Sequence, residues 1–176
     1  MKRASMVIAV IIMASACGLH AQDANPISTN LKQDWSNISG LLSRMADRMP
    51  GEDYRFKPTP EVQDFGQRMA HVITFNMRFC SMLKGEQKPL KFSAMPTKAE
   101  ITMAMKEAND ECDSLFNSLT DADLHKMVGA GRGGQRMELS IIQGPILEHS
   151  QEMYGYMAVY LRLKGIVPPS SERNER

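Results

Sequence analysis

Hydrophobic residues recur at intervals of three and four along four segments of the chain, which is the spacing of the buried face of an amphipathic helix. The segments span residues 31–49, 62–83, 101–119 and 142–163. No stretch of comparable length alternates hydrophobic and polar residues, so the pattern gives little support to β-strands. The sequence therefore predicts an all-α protein, an up-and-down type four-helix bundle with a long connection between helices 3 and 4.

Capping residues predict where the second and third helices begin and end. Thr59 is placed to cap the second helix, with Pro60 at its first position, where a missing N–H costs nothing. Gly85 is placed to end that helix in a left-handed conformation. Thr97 and Glu100 have the spacing of a capping box and predict the start of the third helix.

The fourth hydrophobic stripe contains a proline, Pro145, so this helix is predicted either to kink there or to begin there. Gly165 is placed to end it. The preceding connection holds a short helical candidate over residues 120–128 and a glycine-rich stretch over residues 129–134. No strand precedes these glycines and no Lys-Ser/Thr follows them, so we interpret them as a flexible link and not as a phosphate-binding loop.

The N-terminus has the pattern of an export signal. Lys2 and Arg3 precede an apolar run over residues 4–16, which is too short to span a bilayer comfortably, and the small residue Ala21 offers a cleavage point. The polar end of the chain, from Ser170 onwards, is predicted to be disordered. The chain is thus divided into a signal peptide, a short leader, the helical bundle and a polar tail, at residues 1–21, 22–27, 28–167 and 168–176.

A second interpretation of the N-terminus is a lipoprotein signal. Residues 14–17 loosely resemble a lipoprotein processing site, in which Cys17 would be the lipid-anchored residue. Both interpretations place the protein outside the cytoplasm, either secreted or periplasmic. The rest of the sequence offers no apolar run long enough to span a membrane.

Composition narrows the possible functions. The chain has 21 Lys and Arg against 20 Asp and Glu, a formal net charge of +1. A charge so near zero argues against a nucleic-acid partner bound through bulk charge. Removal of the signal leaves two cysteines, Cys80 and Cys112. An even pair in an oxidising compartment can form a disulfide, and the alternative is two small buried thiols.

Two histidines are the principal candidates for chemistry. His149 lies within the fourth hydrophobic stripe and is expected to face the other helices, and His71 flanks the stripe of the second helix. They can converge on one site, or they can be two ordinary histidines with satisfied ring nitrogens. Glu152 follows His149 by one helical turn, so it can share a metal with His149 or be a surface acid.

Two separated motifs resemble the DinB-like family of bacterial four-helix bundles. The first runs MPGEDYRFKPTPEV over residues 49–62, followed by the second-helix histidine. The second runs EHSQEMYG over residues 148–155, followed by YLRLKGIVPP over residues 160–169. The resemblance covers residues 28–171, and its exported members often carry cysteines at positions 80 and 112. It therefore implies a Cys80–Cys112 disulfide between helices 2 and 3.

The resemblance implies a metal site that this chain has partly lost. Many members bind a divalent metal, often nickel or zinc, through one histidine of the second helix and an H-x-x-x-H pair of the last. His71 and His149 match two of these ligands, but Met153 replaces the third. Tyr156 stands where Asn or Gln is usual. Some members are thiol transferases that use low-molecular-weight thiols, and most have no known activity.

Three functions therefore compete. The first is a bundle with a vestigial metal site that binds a small ligand or a partner, with Trp35, Phe75 and Tyr156 lining the cleft. The second is a divalent-metal enzyme, a thiol transferase or hydrolase, in which Glu152 substitutes for the missing ligand. The third is a Cu(I) protein, because two imidazoles and the Met153 thioether form a soft donor set. A homodimer is possible, and the sequence favours the first function.

Overall fold

A computed structural model of the chain describes residues 24–129 and 134–172. The predicted signal peptide and Cys17 lie outside the described residues, as do the first residues of the predicted leader, residues 130–133 of the glycine-rich stretch and residues 173–176. The first three helices of the bundle are α1 Pro26–Arg48, α2 Phe65–Leu83 and α3 Lys98–Ser118.

The fourth helix of the bundle, called the C-terminal helix below, continues through three segments. These are α4 Glu138–Ile141, a π-helical segment Ile142–Glu148 and α5 His149–Leu163. Pro145 lies inside the π-helical segment. A proline lacks the N–H of the regular hydrogen-bond ladder, and the wider turn accommodates it. Of the two predicted alternatives, a helix that begins at Pro145 is therefore wrong.

The four helices pack around a single hydrophobic core. Both α1 and α2 pack against α3 on one side and against the C-terminal helix on the other. The order around the bundle is therefore α1, α3, α2 and the C-terminal helix. This arrangement gives α2 and the C-terminal helix a shared interface. The largest fully buried side chains come from every part of the bundle and include Trp35, Tyr54, Phe65, Met77, Ile101 and Ile141.

The start of α2 differs from the prediction. The Asp64 side chain accepts a hydrogen bond from the Gln67 N–H at 2.7 Å, and the Gln67 side chain accepts one from the Asp64 N–H at 3.2 Å. This capping box, and not Thr59, begins the helix. Gly66 follows the cap, and a side chain is excluded there because a Cβ would lie 2.7 Å from the carbonyl oxygen of Pro96.

The other predicted helix ends are confirmed. Thr97 and Glu100 form the capping box of α3. Gly85 and Gly165 have φ of 78° and 74°, the left-handed conformation in which glycine carries no Cβ penalty.

The connection between α3 and the C-terminal helix is long, as predicted, but its details differ. The helical candidate over residues 120–128 is reduced to a 3₁₀ turn, Asp123–His125. The strands β1 Met127–Gly129 and β2 Gln135–Met137 then pair in antiparallel fashion. The expectation that strands lack support is wrong here, because strands this short are mostly exposed and give no alternating pattern.

The beginning of the C-terminal tail is ordered, which corrects the prediction of disorder for residues 170–172. A 3₁₀ turn, Pro169–Ser171, follows the C-terminal helix. The Ser170 N–H donates to the Tyr154 hydroxyl at 2.8 Å, and Glu172 forms an ion pair with Arg48.

The predicted disulfide is present. Cys80 of α2 and Cys112 of α3 are bonded, and both residues are fully buried. Within the described residues, no helix is both long enough and apolar enough to cross a membrane.

Candidate functional site

The interface between α2 and the C-terminal helix brings the two predicted histidines together. The rings of His71 and His149 meet edge to face, with their centroids 5.1 Å apart. Phe75 packs against both rings, at 4.6 Å from His71 and 4.5 Å from His149. Phe75 therefore forms an apolar wall beside the two rings.

Local structure fixes the position of each ring. His71 lies on the second turn of α2, whose start is set by the Asp64 capping box. His149 is the first residue of α5, and its N–H bonds to the Gly144 carbonyl of the π-helical segment. Such π turns frequently occur at functional sites because they reposition the side chains that follow.

A buried polar pair next to the histidines was not predicted from the sequence. The Ser150 hydroxyl donates to the Asn76 side-chain oxygen at 3.1 Å, and both residues are buried. The pair ties α5 to α2 immediately beside His149. Asn76 interrupts the hydrophobic stripe of the second helix, and a buried amide needs a partner. That interruption was the signal in the sequence.

Both histidines are held in the neutral form. Burial lowers the pKa of His71, and the nearby His149 and the Arg68 guanidinium lower it further. Burial also lowers the pKa of His149, although Glu152 opposes this shift. A neutral imidazole has one donor and one acceptor nitrogen. Both rings can therefore accept a hydrogen bond or bind a metal near neutral pH.

Glu152 lies at the exposed rim of the cleft. Its Oε2 atom is 3.7 Å from Nδ1 of His149, and its Oε1 atom accepts a 3.0 Å hydrogen bond from the Tyr156 hydroxyl. This hydrogen bond to the carboxylate raises the pKa of Tyr156. The Glu152 side chain is 54% exposed, so it reaches the solvent edge of the site.

Met153 is buried and contacts a residue that the sequence analysis did not identify. Its Sδ atom lies 3.8 Å from Nη1 of Arg68, and the Arg68 guanidinium stands 5.4 Å from the centre of the Tyr156 ring. Arg68 precedes His71 by one turn of α2. Residues at this spacing share a helix face, so the sequence held this signal.

Trp35 lies in another part of the bundle. It is buried, stacks on Phe116 of α3 at 5.4 Å and donates from its indole nitrogen to Asp113 at 2.7 Å. These contacts place Trp35 in the interface between α1 and α3 and not in the histidine cleft. Tyr156, in contrast, lies beside Arg68 and Glu152.

A pocket of about 390 Å³ opens beside His71. Its walls come from α2, including Gln67 and Thr74, and from Phe92 and Ser93 in the connection to α3. One imidazole and several uncharged polar groups therefore face an open volume.

The donor set does not fit the three-histidine metal site that the resemblance implies. Within residues 24–129 and 134–172, no group of three or more His, Cys, Asp and Glu side chains has a metal-binding arrangement. The two imidazoles are close together, but the third position holds the Met153 thioether, a weak ligand for zinc or nickel. A guanidinium cation also lies against that sulfur.

Comparisons with known proteins support the fold. A DinB-like protein from Bacillus subtilis has a crystal structure with a TM-score of 0.66 and 15% identity, covering 82% of this chain and 99% of its own. One from Bacillus cereus has a TM-score of 0.66 and 19% identity, covering 80% and 95%. A mycothiol-dependent maleylpyruvate isomerase has a TM-score of 0.57 and 11% identity, covering 74% of this chain and 59% of its own.

The family assignment comes from the sequence itself. No curated protein matches the chain. The sequence profile of the DinB superfamily, however, matches residues 30–157, most of the bundle and both histidines. With the helical fold and the paired histidines of α2 and α5, this match shows that the chain belongs to the DinB superfamily.

Proposed function

We propose that this protein is an exported DinB-like bundle that binds a small organic ligand in the cleft at His71 and His149, with a vestigial metal site. The observation that carries this proposal is the contact between the Arg68 guanidinium and the sulfur of Met153. Met153 occupies the position at which the family resemblance implies a third histidine. A cation therefore lies against the side chain that stands in the place of a metal ligand.

Charge repulsion by Arg68 and the lack of a third imidazole both weaken the binding of a divalent metal. Two like unit charges about 4 Å apart repel by about 1 to 4 kcal/mol, at dielectric constants between those of water and a protein surface. A divalent ion would feel twice the repulsion of a unit charge. In place of the third imidazole, the ion would also have a thioether, which is a soft ligand poorly matched to zinc or nickel. These effects disfavour a divalent metal.

The cleft has the properties of a small-molecule site. A pocket of about 390 Å³ adjoins the cleft at His71, between α2 and the connection to α3, and its volume falls in the range of about 300 to 1,000 Å³ that is typical of ligand pockets. His71, Gln67 and Thr74 offer hydrogen bonds, and Phe75 and Phe92 lie nearby as apolar surfaces. A few convergent polar groups beside aromatic rings are typical of sites that orient an organic ligand.

A second candidate function, a divalent-metal enzyme, has one specific observation in its favour. Glu152 lies near Nδ1 of His149, while Nε2 of that ring is buried and has no hydrogen-bond partner among the described residues. Carboxylates commonly orient metal-binding histidines in this way. The similar fold of a mycothiol-dependent isomerase is consistent with thiol-transfer chemistry. A Cu(I) site is disfavoured, because the Met153 sulfur faces Arg68.

Metal analysis distinguishes these functions. The protein is purified from an oxidising compartment, exposed to nickel, zinc or Cu(I), dialysed and analysed by elemental mass spectrometry. We expect the wild type to retain less than stoichiometric metal and a Met153→His variant to retain nickel or zinc. Met103→His is the matched control, because it adds an imidazole at an exposed position of α3. One equivalent of metal in the wild type would refute the proposal.

A further inference from the structure

Arg68 is a partly buried cation that has no acidic partner in the part of the chain that the structure describes. Its Nε atom is buried and makes no hydrogen bond within the described residues. Its Nη1 atom has only a weak acceptor, the Met153 sulfur, and its guanidinium faces the Tyr156 ring. No carboxylate of residues 24–129 or 134–172 forms an ion pair with it. Since charges removed from water are normally paired, this position favours a negatively charged group.

A second buried atom without a partner lies in the same interface. Three buried side-chain polar atoms have no hydrogen bond in the described part of the chain: Arg68 Nε, His149 Nε2 and Glu111 Oε1. Glu111 is compensated, because its Oε1 atom lies 2.9 Å from the ammonium group of Lys84. The other two atoms both belong to the interface between α2 and α5. Two such groups in one interface offer hydrogen-bonding positions to a ligand that binds there.

Glu152 is a carboxylate near Arg68, because both residues contact Tyr156. Its two oxygens are directed elsewhere, one to the Tyr156 hydroxyl and the other towards His149. The Tyr156 side chain contacts both groups, since its hydroxyl donates to the Glu152 carboxylate and its ring faces the Arg68 guanidinium. The positive charge of Arg68 is therefore available to a ligand that enters the cleft.

We propose that the ligand of this cleft is a small organic carboxylate, whose negative charge is bound by the Arg68 guanidinium. This inference rests on the proposed function and specifies its ligand class. A guanidinium matches a carboxylate through parallel N–H donors. The single charge of Arg68, beside two neutral imidazoles, matches a monoanion better than a phosphate dianion. The half-exposed Tyr156 ring, which lies against the guanidinium, offers apolar surface for the rest of the molecule.

Benzoate is a suitable probe, because it combines one carboxylate with an apolar ring, and benzamide is its neutral counterpart. Binding is measured by titration calorimetry on the metal-free wild type, with NMR detection of the arginine Nε–H signals. We expect benzoate, but not benzamide, to bind and to shift the Arg68 signal. Arg68→Gln is expected to weaken benzoate binding by about 10- to 100-fold, the usual effect of losing a charge-assisted hydrogen bond.

Arg78→Gln is the matched control. Arg78 is an exposed arginine of the same helix, and its guanidinium also lies 5.4 Å from an aromatic ring, that of Phe79. This variant is expected to bind benzoate like the wild type. If Arg68→Gln does not fold, Arg68→Lys provides the test, because it keeps the charge and loses the parallel donors. Weaker binding of benzoate by this variant supports the proposal.

Three results would overturn the inference: no binding of benzoate, equal binding by Arg68→Gln, or tighter binding of inorganic phosphate than of benzoate. They are distinguishable from failure of the proposed function. Absence of benzoate binding in a chain that stays free of metal contradicts only the ligand class. Benzoate binding that appears only after zinc or nickel is added contradicts both, because the carboxylate would then be bound by the metal.

Discussion

Removal of the Cys80–Cys112 disulfide tests how far the bundle depends on a covalent link between α2 and α3. The bond closes a loop with a sequence separation of 32 residues. On the chain-entropy relation, a loop of this length destabilises the unfolded state by about 3.7 kcal/mol at 25 °C. For a domain of this size each kcal/mol changes the melting temperature by about 2 to 4 °C. The double variant Cys80→Ala/Cys112→Ala should therefore melt about 7 to 15 °C lower.

Alanine is the appropriate replacement, because both cysteines are fully buried and serine would bury two hydroxyl groups. Thermal and urea unfolding are followed by circular dichroism in the wild type, the double variant and each single variant. Either single variant already breaks the bond, so each should lose about as much stability as the double variant. Single-variant losses that add up to the double-variant loss would refute the reasoning, because packing and not the crosslink would then be responsible.

Three further predictions concern the start of α2 and the histidine pair. Asp64→Ala should lower the free energy of unfolding by about 1 kcal/mol in urea titrations, because it removes the cap of α2. Gly66→Ala should cost about 1 to 3 kcal/mol, because its Cβ would lie 2.7 Å from the Pro96 carbonyl oxygen. The free energy of unfolding should be highest above about pH 6.5 and decrease as the pH falls below it. The reason is that the pKa values of His71 and His149 are lowered in the folded protein, so the unfolded chain binds more protons in this range. Urea titrations of the wild type and of the variant with both histidines changed to Asn, between about pH 5 and 8, measure this slope.

Each of these predictions has a matched control. Thr59→Ala should leave stability unchanged, because Thr59 does not cap α2, and a loss equal to that of Asp64→Ala would contradict the assignment. Gly155→Ala should be neutral or stabilising, since its Cβ would meet open space in the middle of α5. His125→Asn changes an exposed histidine and should keep the pH slope of the wild type. A slope that persists without His71 and His149 would show that other groups cause it.

Much of the fold could be predicted from short-range patterns. The four hydrophobic stripes correspond to the buried faces of the four helices. Thr97, Gly85 and Gly165 act at helix ends as predicted, because capping depends on side chains and backbone angles within a few residues. Even the proline of the C-terminal helix was located correctly as a local irregularity. These features depend on local interactions, which the sequence displays directly.

The errors occurred where a tertiary contact chose between local alternatives. Thr59 was predicted as the cap of α2, but the capping box of Asp64 and Gln67 begins the helix five residues later, where Gly66 packs closely against the connection before α3. Trp35 has the large apolar ring expected of a cleft wall, but its hydrogen bond to Asp113 holds it against α3. Periodicity identifies a buried side chain without identifying the helix that buries it.

The same distinction applies to the candidate site. The sequence by itself determined an all-α bundle and two inward or flanking histidines, and its resemblance to the DinB-like family implied that Met153 stands in place of a third ligand. Only the tertiary structure decided that the two rings touch and that Arg68 lies against the Met153 sulfur with no acidic partner among the described residues. The physical reason is that electrostatic and packing interactions act through space. Arg68 and Met153 lie on different helices, so only the packing of α2 against α5 makes them neighbours.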